Sequence, residues 1–77
     1  MNRKEIMEAL NDELTRARKK FHTWPTDPIH AAAIVAEESG ELIRAALQWG
    51  YENKSMAACD KEAIQTLAMC IRFLERG

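Results

Sequence analysis

Seventy-seven residues make one domain, and 47% hydrophobic with 30% charged residues is the composition of a folded globular chain. Eleven basic against twelve acidic side chains leave a formal net charge of −1, which gives neither nucleic acid nor an anionic membrane electrostatic purchase as the main partner. With three Gly, two Pro and no stretch alternating at period two, strands are not expected and residues 1–77 read as a single all-α domain.

The first helix is predicted from about Arg3 to Phe21. Ile6, Leu10, Leu14, Ala17 and Phe21 recur at steps of three and four, with Met7 at the edge of the stripe. The basic cluster Arg16, Arg18, Lys19 and Lys20 is balanced by Glu5, Glu8, Asp12 and Glu13 and reads as a solvated face. Pro25 and Pro28 then bias their predecessors to extended backbone, and Asp27 before Pro28 makes a helix cap. The second helix is predicted over Pro28 to Trp49, with Gly50 as its C-cap. The joint Tyr51–Lys54 is short, so an antiparallel hairpin follows.

The third helix is predicted from Ser55 to Glu75, capped by Ser55 or by Asn53. Between Ala63 and Leu74 only Gln65, Thr66 and Arg72 are polar, so this helix should be surrounded on nearly all sides. Two helices of one small chain are hardly enough for that. A homodimer or higher homo-oligomer is expected, with hairpins from two subunits forming a four-helix-type bundle. Cys59 and Cys70 are eleven residues apart on one helix, about 16 Å along its axis. They cannot pair, and they read as reduced thiols of a cytoplasmic protein. The charged start MNRKEIMEAL does not read as a signal peptide, and no apolar run reaches 18 residues.

The chemistry concentrates in Glu37-Glu38-Ser39-Gly40-Glu41, set in an otherwise apolar helix. At about 100° per residue, Glu37 and Glu41 lie about 40° apart and Glu38 falls within the same sector. Like charges so placed repel and give the helix no structural gain. A divalent cation would convert the repulsion into coordination, and oxygen donors of this kind suit Mg2+ or Mn2+. Glu62 and Gln65 share one face of the third helix. An antiparallel hairpin can turn that face toward Glu37, Glu38 and Glu41, and acids on facing helices are a recurrent way to hold metal in a bundle.

E-E-x-x-E on one helix, followed some twenty residues later by Glu62-Ala63-Ile64-Gln65, resembles the MazG-like nucleotide pyrophosphohydrolases, the all-alpha NTP pyrophosphatases. The resemblance spans about Pro28 to Leu74 and includes the local form EESGEL. It departs at Gln65, where the family has aspartate. It implies Mg2+-dependent hydrolysis of a nucleoside triphosphate, often deoxy or non-canonical, to a monophosphate and pyrophosphate. Carried over by position, Glu38, Glu41 and Glu62 are the main metal ligands with Gln65 at the fourth place. Glu37 is either a ligand or the residue that positions the attacking water, so Glu37 and Glu38 are the catalytic candidates.

Four further residues are candidates for substrate contact. Trp49 directly follows the acidic helix and offers a face for a nucleobase. His30 lies on nearly the same helical line as Glu37, toward the triphosphate or sugar end, and a surface or capping role is its other reading. Arg72, which interrupts an apolar run, and Lys61 are able to meet phosphate, as are Lys54 and Arg76. Arg44 follows Glu41 by three residues and can pair with it. The alternative to an enzyme is a helical interaction or regulatory protein that keeps the bundle without the chemistry, favoured by Gln65 and by the lack of a long substrate loop.

Overall fold

The computed structural model describes all 77 residues as three helices and no strands: α1 (Arg3–Lys20), α2 (Pro28–Glu52) and α3 (Met56–Glu75). Each begins on a side-chain cap. The Asn2 carbonyl oxygen accepts from the Glu5 N–H, and the Glu5 carboxylate accepts from the Asn2 N–H, both at 2.9 Å. The Asp27 carboxylate accepts from the Ile29 N–H at 2.9 Å, with Pro28 in the first turn of α2. Ser55 caps α3 by accepting from Ala57 at 2.9 Å.

The end of α2 differs from the sequence expectation. The helix runs through Gly50 and stops at Asn53, which adopts the left-handed conformation at φ 58°. Lys54 then donates back to the Gln48 carbonyl at 3.2 Å. Asparagine tolerates this backbone better than most residues, so it ends the helix where glycine was expected to. Asn53 therefore closes α2, and Ser55 opens α3.

The third helix is central. α1 packs on α3 and α2 packs on α3, while α1 and α2 do not pack against each other. Leu10, Leu14 and Ala17 of α1 meet Ala68 and Met69 of α3 to form the core, with Trp24, Ile34, Val35 and Ile71 packed around it. Small residues at the closest approach, Ala17 and Ala68, let the two helices come together. Within the chain α1 and α2 cover part of the apolar circumference of α3: Ala68, Met69 and Arg72 are buried, while Leu67 and Leu74 stay exposed. Only nine of the 77 residues are buried, however, and the large exposed apolar side chains are concentrated on α2. Cys59 and Cys70 are both free thiols. No helix is long and apolar enough to cross a membrane.

Two arginines tie the open ends of this arrangement. Arg18, exposed as expected, pairs with Glu75 and donates to the Gly77 carbonyl at 3.2 Å, joining the ends of α1 and α3. Arg72 is 2% exposed. Its Nη2 donates to the carbonyls of Phe21 (2.8 Å) and Thr23 (3.4 Å), and its Nε to that of Gly77 (3.2 Å).

Candidate functional site

Because α1 and α2 flank α3 without touching, a cleft opens between them above α3. Its volume is about 480 Å³. Glu37, Glu38 and His30 of α2 form one wall, Glu13 and Arg16 of α1 the other, and Gln65 of α3 lies on the floor. Trp24 and Arg72 close one end.

Glu38 is the electrostatic centre of the cleft. Burial raises its pKa above the usual carboxylate range, and the charges of Glu62, Glu37, Glu13 and Glu41 push in the same direction. A carboxylate held among four others has no structural use for its charge. It wants a cation.

Part of that need is met by the chain itself. Arg16 grips Glu13 from Nε at 2.9 Å and through a second bond from Nη2, and the attraction of Glu38 adds to that of Glu13 in raising the Arg16 pKa. Both residues were expected on a solvated face, and the structure turns them into the cleft. The signal was present: Glu13 lies three residues after Leu10 and four before Ala17, at the edge of the apolar stripe rather than opposite it.

The remaining sequence candidates fall in three places. Glu37, Glu38, Gln65, His30 and Arg72 line the cleft. Glu62 and Glu41 stand close enough to Glu38 to influence its charge, although Glu41 is exposed and lies 3.8 Å from Arg44. Trp49 and Lys61 lie elsewhere. Trp49 is exposed near the C-terminal end of α2 and is not part of the cleft lining, and Lys61 faces a shallow groove on the far side of the Glu13–Arg16 pair. The indole that does border the cleft is that of Trp24. Arg72 reaches it with its guanidinium already engaged by backbone carbonyls and stacked 4.7 Å from the Trp24 ring centre.

The donor set is that of a hard divalent cation: carboxylates, one amide oxygen and an accessible cleft. As the side chains stand, no three acidic, histidine or cysteine groups converge closely enough to hold a metal ion. Closure on a cation would require rotations of the long Glu38, Glu62 and Glu37 side chains, which their partial exposure permits. Comparison with known protein families, with curated proteins and with solved structures finds no match.

Proposed function

We propose that the cleft is the active site of a nucleoside triphosphate pyrophosphohydrolase, converting an NTP or dNTP and water to a monophosphate and pyrophosphate. The observation that carries this reading is Glu38, half-buried and surrounded by four carboxylates in a cleft that also contains an arginine, an amide and an indole. Glu38, Glu62 and Glu41, with the neutral oxygen of Gln65, would hold Mg2+ or Mn2+. Such an ion neutralises polyphosphate and acidifies a bound water. Glu37, beside them and exposed to solvent, would orient the water for attack at the α-phosphorus and receive its proton. The pyrophosphate then departs as the α–β anhydride bond breaks. Arg16 is the one guanidinium in the cleft held only by a side chain. It can exchange Glu13 for a phosphate oxygen. Trp24, and His30 at the opposite wall, are placed to contact base or sugar.

A second reading is favoured by the Glu13–Arg16 pair together with Gln65. The chain carries its own cation at the cleft and lacks one acid of the family motif, as a non-catalytic interaction or regulatory protein would. Incubation with a panel of canonical and modified nucleoside triphosphates, with and without Mg2+, separates the two when pyrophosphate release is followed. Metal-dependent release lost in Glu38→Gln is expected. No release from any triphosphate, by protein that stays folded, would favour the second reading.

A further inference from the structure

Lys61, Gln65, Met69 and Arg72 follow one another along α3 at steps of four, four and three. They occupy a sector about 80° wide and a length of about 16 Å. The last three belong to the cleft, whereas Lys61 belongs to a groove of about 430 Å³ formed by α1 and α3. On α1 the cleft takes Glu13, Arg16 and Ala17, and the groove takes Ala9, Asp12 and again Glu13 and Arg16. The two hollows therefore lie end to end along one pair of helices. Glu13 and Arg16 alone border both. Their ion pair stands as a partition in what is otherwise a single trough.

The partition is built to move. Arg16 holds Glu13 from Nε at 2.9 and 3.2 Å and through a further bond from Nη2. The Glu13 side chain is 13% exposed and that of Arg16 50%, so the guanidinium is the half free to swing. A pair three residues apart on a helix surface holds weakly, and phosphate oxygens suit the same fork. Glu38 draws on Arg16, and Glu13 acts on Glu38, so the pair and the acidic wall sense each other across the cleft.

Beyond the partition Lys61 makes no ion pair. Asp12 and Asp60 line the groove beside it. They repel a bare anion there, and a phosphate that carries a divalent cation is favoured instead. The opposite end of the trough has no cation to offer. Arg72 is spent there on the carbonyls of Phe21, Thr23 and Gly77.

We propose that the groove is the far end of the same substrate site and receives the terminal phosphates of a polyphosphate chain, with the Glu13–Arg16 pair as its gate. Taken with the pyrophosphohydrolase reading of the cleft, on which it rests, this gives the substrate a direction. The nucleoside lies at the Trp24 end, the α-phosphorus at the level of Glu38 and Gln65, and the β- and γ-phosphates run toward Lys61. Arg16 turns from Glu13 to one phosphate oxygen, and Lys61 meets the next phosphate. Glu13, released, faces the cation that the phosphates bring. A monophosphate ends short of the gate and gains neither contact. The length of the phosphate chain is thereby selected.

Inorganic tripolyphosphate with Mg2+, titrated calorimetrically into the full chain, tests the far end without any nucleoside. Binding is expected. Lys61→Met should raise Kd at least about tenfold, the scale of one charge-assisted hydrogen bond. Lys19→Met removes the same charge from an exposed position outside both hollows and should leave Kd unchanged. Glu13→Gln should lower Kd severalfold by releasing Arg16, and adding Arg16→Gln should remove that gain. Absence of binding to the parent would overturn the inference. So would an equal effect of the two lysine variants, or a Glu13→Gln protein that binds no more tightly than the parent. The pyrophosphohydrolase reading falls separately, when no nucleoside triphosphate yields pyrophosphate.

Discussion

The Arg72 guanidinium stacks 4.7 Å from the Trp24 ring centre while donating to the Phe21 and Thr23 carbonyls, so one α3 side chain holds the whole joint between α1 and α2. Since α1 and α2 do not pack on each other, this joint fixes how far apart they stand. The width of the cleft therefore depends on Arg72. The buried charge lies over the indole face and within reach of carbonyls left unpaired where the chain turns at Pro25.

Lysine at this position keeps the charge but loses the planar fork and the stacking. Arg72→Lys should cost about 2–3 kcal/mol, by the strength of charge-assisted hydrogen bonds. In a chain of this size that lowers Tm by about 10 °C or more. A thermal melt of Arg72→Lys within a degree or two of the parent would show that the joint is held by other contacts.

Asn53 gives a purely local prediction. Its φ of 58° suits glycine and asparagine, whereas alanine pays the steric cost of the left-handed region. Asn53→Ala should lose about 1 kcal/mol, and Asn53→Gly should stay near the parent. Urea titrations of the two variants provide the comparison.

How much of this was legible in the chain depends on the range of the interactions involved. The three helices follow from local signals, with Asn2, Asp27 and Ser55 at their starts and stripes such as Leu10, Leu14 and Ala17 along them. That Glu37, Glu38 and Glu41 share one sector of α2 was also readable from helical spacing, and Glu62 of α3 stands near enough to act on the charge of Glu38. What spacing does not contain is the order of packing. The placement of α3 in the middle decides that Glu13 and Arg16 face the cleft and that Trp49 does not. Arg72 shows the same limit. Its position in an apolar run marks it as special, but only the turn at Phe21–Trp24, fifty residues earlier, explains why.

Glu38 should make stability depend on pH in the metal-free protein. Burial first, then Glu62, Glu37, Glu13 and Glu41, raise its folded pKa above the ordinary carboxylate value that the unfolded chain regains. Between those two values the folded state keeps a proton the unfolded state has lost. Raising the pH through that window therefore reduces stability, and below the ordinary value the penalty disappears. Glu38→Gln should be more stable than the parent above the window and equal to it below. Urea unfolding of both proteins in chelator, from acid to neutral pH, measures the difference, and parallel curves would remove Glu38 from the centre of the acidic group.

Metal should reverse that behaviour under the proposed function. A ligand bound only by the folded state adds RT ln(1 + [L]/Kd), about 2.7 kcal/mol at a hundredfold excess over Kd. Mg2+ or Mn2+ should raise Tm of the parent, and Glu38→Gln or Glu41→Gln should abolish most of the rise. The Glu41 variant is the more discriminating, because Glu41 now stands at the rim beside Arg44. A full metal response in Glu41→Gln would confine the ligands to Glu37, Glu38 and Glu62. An unchanged melt of the parent at millimolar metal would take away the support for a cation in the cleft.

Gln65 distinguishes a weakened enzyme from a lost one. It lines the floor of the cleft where the resembling family has aspartate, and as an amide it offers oxygen without charge. In a working site, Gln65→Asp adds a charged oxygen next to the cation and should tighten Mg2+ binding and raise pyrophosphate release together. In a site without metal, the same carboxylate joins Glu38, Glu37, Glu62 and Glu13, and the arginines of the cleft, Arg16 and Arg72, already have partners of their own. It then adds repulsion at neutral pH that no ion relieves. The two cases differ in sign when melting temperature is read with and without Mg2+. Destabilisation in chelator that Mg2+ reverses, accompanied by faster release of pyrophosphate, is the outcome expected of the enzyme. Destabilisation that Mg2+ leaves untouched, with no gain in hydrolysis, would assign the fold to an interaction or regulatory role instead.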